Sequence, residues 1–66
     1  MERLRKVWVI QDQETGAFLH LDLYLTTSLK DAGRAPDYAC ALETAELNMH
    51  GPYEIHCFWE PEERGG

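Results

Sequence analysis

The stretch Ala17-Phe18-Leu19-His20-Leu21-Asp22-Leu23-Tyr24-Leu25 alternates residue by residue. Leu19, Leu21, Leu23 and Leu25 fall on one side, and Phe18, His20, Asp22 and Tyr24 on the other. A period of two is the signature of a half-buried strand, so this stretch predicts a strand with its leucines on a core. Upstream, Val7-Trp8-Val9-Ile10 is β-branched and aromatic and reads as a partner strand. Between them Gln13-Glu14-Thr15-Gly16 supplies a turn, with Gly16 free to take the positive φ that closes a hairpin.

Downstream, Thr26 to Arg34 fits either a short third strand or a helical turn, and Gly33 interrupts both. At Ala35 the period changes. Pro36 suits the start of a helix, and Asp37 places a negative charge at its positive end. Tyr38, Ala41, Leu42, Ala45 and Met49 recur at helical spacing, with Cys40, Glu43 and Leu47 on the outward side. Gly51-Pro52 stops the helix. Tyr53 to Trp59 alternates again, with Tyr53, Ile55, Cys57 and Trp59 on one face and Glu54, His56, Phe58 and Glu60 on the other. The expected fold is α+β: a small antiparallel sheet of three to four strands with one helix on one face, in the order β-β-(β)-α-β. Residues 1–60 form the expected single domain. Residues 61–66, without an apolar side chain, form an expected flexible acidic tail ending in Gly-Gly.

A chain of 66 residues buries only about 60% of its unfolded surface, so the core is thin. Ligand pockets need a few hundred cubic ångströms of enclosure, which such a core supplies poorly. Binding through a surface is the expected mode of action, and no enzyme activity is expected. Charge sharpens the expectation. Twelve acids face six bases for a net charge of -6. Arg3, Arg5 and Lys6 concentrate the positive charge near the N-terminus, while from Val7 onward eleven acids face only Lys30, Arg34 and Arg64. Such a body is repelled by phosphate backbones and anionic lipid and drawn to basic protein grooves. Neither direct nucleic-acid binding nor a membrane partner is expected.

Cys40 and Cys57 are too few for the disulfide framework of a small secreted domain. Cys57 lies among Ile55 and Trp59 and is expected to be a core thiol, with Cys40 outward. The apolar run Val7–Ile10 is too short for a secretory signal and no stretch reaches membrane-spanning length, so a reducing cytoplasm is the expected compartment. His20 and His56 share an assigned face with Asp22 and Glu54 nearby, but nothing has metal-ligand spacing, and neither metal nor other cofactor is expected. No nucleophile is implied beside them.

A lone helix covers one sheet face and leaves the other open. By parity that face carries Trp8 or Val9 with Phe18, His20, Asp22, Tyr24, Glu54, His56, Phe58 and Glu60. Aromatics among acids suit protein contact. The remaining acids are dispersed at spacings that a strand or helix can turn into a row of negative charge. Because duplex DNA is itself a lattice of negative charge, such a row can compete for a basic groove.

The run Val7-Trp8-Val9-Ile10, then Asp12-Gln13-Glu14-Thr15-Gly16-Ala17-Phe18-Leu19, then Ser28-Leu29-Lys30-Asp31-Ala32, followed by an Ala- and Glu-rich helix and a closing strand, resembles small proteins encoded by bacteriophages and mobile elements. In size, acidity and layout the chain is most similar to the anti-CRISPR proteins, and among them to inhibitors of type I systems. The resemblance implies a monomer that binds a crRNA-guided, Cascade-like surveillance complex, for instance its large subunit, and blocks target DNA at a basic channel. The contacting residues it implies are Asp12, Glu14, Asp22, Asp31, Asp37, Glu43, Glu46 and Glu54, with Phe18 and Phe58 adding contact area. Two other readings stand beside it. One is a ubiquitin-like or sulfur-carrier protein using Gly65-Gly66, although those folds place the helix soon after the first hairpin. The other is a phage accessory protein that self-associates through the open face.

Overall fold

The structure, a computed structural model, describes residues 3–62. It is an α+β fold. Four antiparallel strands form one sheet: β1 (Leu4–Asp12), β2 (Phe18–Leu19), β3 (Leu25–Thr26) and β4 (Tyr53–Pro61), in the order β3-β2-β1-β4. A single 3-10 turn (Leu29–Asp31) and one helix, α1 (Tyr38–Asn48), separate β3 from β4.

The dominant element is the ribbon of β1 and β4. The two strands pair without interruption from Leu4↔Pro61 to Asp12↔Tyr53. Both are rich in β-branched and aromatic residues, which pack well on a pleated surface. The hairpin leaving β1 closes as its sequence demands. Gly16 takes φ +79°, a conformation that costs a residue with a Cβ. Its N–H donates to the Asp12 carbonyl at 2.8 Å, and the Asp12 N–H donates to the Ala17 carbonyl at 2.7 Å.

The stretch 17–25 does not form the continuous strand its alternation predicts. It is a tight second hairpin, with only Phe18–Leu19 and Leu25–Thr26 extended. The His20 N–H donates to the Tyr24 carbonyl at 2.7 Å, and the Leu23 N–H donates to the His20 carbonyl at 2.9 Å. His20 fastens the turn twice more: its Nδ1 accepts the Asp22 N–H at 2.9 Å, and its ring stacks on Tyr24 with centroids 4.3 Å apart. The reason lies on β1. Gln11 pairs with Phe18, so a longer β2 would run on toward Trp8, but Trp8 exchanges both backbone hydrogen bonds with Ala35, at 3.1 and 2.8 Å. That slot is filled by a segment distant in sequence. Of the four leucines only Leu19 is buried, and Leu21, Leu23 and Leu25 are exposed. Leu23 is left at φ +68°, a left-handed conformation that costs an L-residue with a side chain about 1–2 kcal/mol.

The helix begins where Asp37 caps it, the carboxylate accepting the Cys40 N–H at 2.7 Å. Ala41 and Ala45 are fully buried against Ile10 and Leu19, with Trp8, Ala35, Met49, Tyr53 and Ile55 packed around them. Small residues at the contact let the helix lie close to the sheet. Tyr38, expected in this core, is exposed because it sits in the first turn at the margin of the contact.

One helix of eleven residues cannot cover a ribbon in a molecule 40 Å long. It covers the Ile10–Ile55 end and leaves the Leu4–Pro61 end bare. Cys57, expected in the core, is therefore exposed although it shares the helix-side face. The ordered strand also passes the boundary expected at residue 60. Pro61 closes β4, and the Glu62 N–H donates to the Arg3 carbonyl at 2.8 Å. The rest of the expected tail, with Gly65 and Gly66, lies outside the described residues.

Two stability predictions follow from these local features. Asp37→Ala removes the cap and is expected to cost about 1 kcal/mol in denaturant unfolding. Leu23→Gly relieves the left-handed turn and is expected to be neutral or stabilising by up to about 1 kcal/mol, since glycine's entropy cost offsets part of the gain. A clear loss of stability in Leu23→Gly would show that the exposed side chain contributes packing.

Candidate functional site

Register assigns every strand residue to a face. Trp8 opposes Cys57 and Ile10 opposes Ile55 on the helix side. Arg5, Val7, Val9 and Gln11, with Glu54, His56, Phe58 and Glu60, line the opposite face. Gln11↔Phe18 adds Phe18 to it. Of the two residues expected for this face it is Val9, not Trp8, that occupies it. The face is only partly open: Val7 and Val9 in the central strand are 2% and 1% exposed, and Phe18, His56 and Phe58 are half-buried. Asp22 and Tyr24, assigned to this face by parity, belong instead to the turn after β2.

Arg34 organises this face. As the neighbour of Ala35 it projects away from the helix, its guanidinium 5.7 Å from the Phe58 ring centroid. Its Nε donates to Glu60 Oε2 at 3.2 Å, and its Nη1 donates to the carbonyls of Ala32 at 2.6 Å and Leu29 at 2.8 Å. Arg5 Nη2 donates to the other Glu60 oxygen at 3.1 Å. One glutamate on β4 thus holds two arginines, and one of them ties the 3-10 turn to the sheet. Alternation revealed the face of Glu60. It did not reveal the partnership, because Arg34 reaches it only through the Trp8–Ala35 bridge.

The acids named from sequence separate into three groups. Asp12 is buried, at 7% exposure, and is used within its own turn. It accepts the Thr15 hydroxyl at 2.7 Å and the Glu14 N–H at 3.4 Å, so it organises the hairpin and is not free to meet a partner. Glu54 is exposed on the face away from the helix, accepting from Gln13 Nε2 at 2.9 Å, and Asp31 sits in the 3-10 turn beside Lys30.

The third group lies on the helix, at its C-terminal end and in the hairpin turn beside it. Glu43 and Glu46 are exposed one helical turn apart, Asp37 caps the same helix, and Glu14 is exposed over Gly51 just past the helix C-terminus. Asp22, its side chain 80% exposed, lies in the second hairpin turn, whose Leu21 and Leu23 share a groove with Cys40 and Thr44 of the helix. That groove, about 340 Å³, is closed on its other side by Trp8 and the segment Gly33–Pro36. Gly33 lets the two segments pack closely there: a Cβ would stand 3.1 Å from the Leu21 backbone nitrogen, so a side chain would push the turn back by a few tenths of an ångström.

His20 and His56 are each engaged locally, His56 Nε2 lying 2.8 Å from Gln11 Oε1. Among the described residues no cluster of three or more His, Cys, Asp or Glu side chains could hold a metal ion. No described helix is long and apolar enough to cross a membrane. No protein-family model, curated protein or solved structure matches this chain.

Replacing Arg34 tests the knot on the far face. Arg34→Ala is expected to cost about 2 kcal/mol in denaturant unfolding, because charge-assisted hydrogen bonds are lost and Glu60 keeps only Arg5. Arg34→Lys is expected to recover little, since an ammonium cannot span Glu60 and two carbonyls at once. Full recovery by lysine would mean that charge alone matters.

Proposed function

We propose that this protein is a phage-type inhibitor of a type I CRISPR surveillance complex, acting as a partial DNA mimic. Its helix-side acids occupy a basic channel that target DNA otherwise enters. The observation that carries the reading is the separation of charge. From Ala35 to the helix end at Asn48 the sequence holds Asp37, Glu43 and Glu46 and no lysine or arginine. Arg5 and Arg34, by contrast, are held by Glu60 on the far face.

The surface narrows to Glu14, Asp22, Asp37, Glu43 and Glu46. Neighbouring carboxylates on the helix stand about 5–6 Å apart, close enough to act together on a row of Lys and Arg side chains. Opposite charge would steer the encounter, and exposed Leu21, Leu23 and Leu47 beside the acids add apolar contact at short range. Asp12 has no part in this surface. Glu54, Phe18 and Phe58, on the other face, would lie outside the first contact.

The test is competition between target duplex and this protein for a purified type I surveillance complex. The wild type is expected to displace labelled duplex. The double substitution Glu43→Lys with Glu46→Lys is expected to weaken displacement about tenfold or more, while Glu54→Lys leaves it unchanged. Undisturbed DNA binding at saturating wild-type protein would contradict the proposal. Equal sensitivity to Glu54→Lys would move the contact to the other face.

A further inference from the structure

The edge of the sheet points to a second binding surface, independent of what the acids meet. β4 is an outer strand, and the direction of its backbone groups can be read from its neighbour. Trp8 spends its N–H and C=O on Ala35, so opposite Cys57 it makes no ladder bond to β4. Asp12, bonded to Ala17, has the same parity. Gln13 to Pro52 and Glu62 to Arg3 are bonds of the opposite parity. The N–H and C=O groups of Tyr53, Ile55, Cys57 and Trp59, and the carbonyl of Pro61, therefore point away from β1 along the free edge.

A nine-residue edge is a template for another strand, and proteins usually guard it with lysine, a bulge or an internal proline. β4 carries none of these. It has no Lys or Arg, its register with β1 is unbroken, and its proline stands at the last position, where it removes only a terminal donor.

We infer that β4 pairs antiparallel with β4 of a second copy of this chain, about a two-fold axis through Cys57. The strand is arranged for itself. The axis sets Cys57 against Cys57, Ile55 against Trp59 and Tyr53 against Pro61 on the helix side, and His56 against Phe58 and Glu54 against Glu60 on the other. The outward groups at 55, 57 and 59 then meet as hydrogen-bonded pairs. The facing glutamates do not repel as a bare pair, because Glu60 is already bound by Arg5 and Arg34 and the three groups together carry one positive charge. Glu54 of the second copy approaches that cluster.

The same axis resolves the uneven cover of the sheet. Lying perpendicular to the sheet, it keeps both helices on one face at opposite ends. The bare end of each ribbon, where Trp59 is 61% exposed, comes to lie beside the helix-bearing end of the other. A foreign strand would satisfy the hydrogen bonds, but it would not bring a carboxylate to Glu60 and a helix to Trp59 together.

Sedimentation velocity on the full chain is expected to show a dimer that dissociates on dilution. Cys57→Lys and Cys57→Asp each place like charges face to face across the axis and are expected to be monomers with wild-type circular dichroism. Mixed in equal amounts, the two are expected to form a heterodimer. A wild type that stays monomeric at hundreds of micromolar would overturn the inference, as would dimers persisting in both variants. Amide exchange of the wild type tests it without a substitution. The N–H groups of Ile55, Cys57 and Trp59 are expected to slow as concentration rises, while those of His56 and Phe58, bonded to β1, stay slow throughout. Exchange at 55, 57 and 59 that is independent of concentration would overturn it equally.

Discussion

The ladder between β1 and β4 is the interaction on which the rest of the molecule depends. It joins the two ends of the described chain along nine residue pairs, and every other element attaches to one end of it. The other edge of β1 is shared between Phe18 and Ala35. This sharing cuts β2 to two residues, folds the following stretch into a turn and sends the chain to the start of the helix beside Trp8. A thin core results, built on Ile10 and Leu19 against two alanines. Small domains have little burial to spare, and here the local devices (an Asp37 cap, an Asp12-centred turn, an Arg34 knot) supplement it.

The ladder also sorts the charges. Arg3, Arg5 and Lys6 enter at one end of β1, and β4 brings Glu60 across to meet Arg5 there. Lys6 stands 5.5 Å from the Trp8 ring and is register partner to Trp59. The helix and the first hairpin, at the other end, carry acids without a compensating base. A small chain thereby acquires a basic end, with Lys6 on the same face as the helix, and an acidic end where the helix and first hairpin lie.

Wherever one neighbour decided the conformation, the sequence was legible. Val7–Ile10 and Tyr53–Trp59 read as strands because each is alternating or β-branched over its length. Gly16 announced a turn and Pro36-Asp37 a helix start through their own chemistry, whereas the role of Asp37 as the cap just outside the helix shows only in the structure. The α+β class and the order of elements followed. The failures are non-local. Leu21, Leu23 and Leu25 alternate as a strand should, but the slot they needed belongs to Ala35, which no local pattern reveals. Cys57 shares a face with Ile55, yet it is exposed because the helix stops short of it, a matter of length and not of period. Asp12 looked like one more surface acid, and only the turn geometry shows its oxygens already taken. The place of Glu14 over Gly51, just past the helix that carries Glu43 and Glu46, was hidden for the same reason: the two segments are distant in sequence and set side by side by the fold.

If the protein acts as proposed, charge brings it to its target. The most direct test is the affinity for a type I surveillance complex measured as salt is raised from low to physiological concentration. Contacts between the helix-side carboxylates and a basic channel are screened over about 10 Å at 0.1 M salt, so the affinity is expected to fall steeply, with the loss concentrated in the association rate. An affinity that holds steady across that range would contradict charge mimicry, whatever the partner.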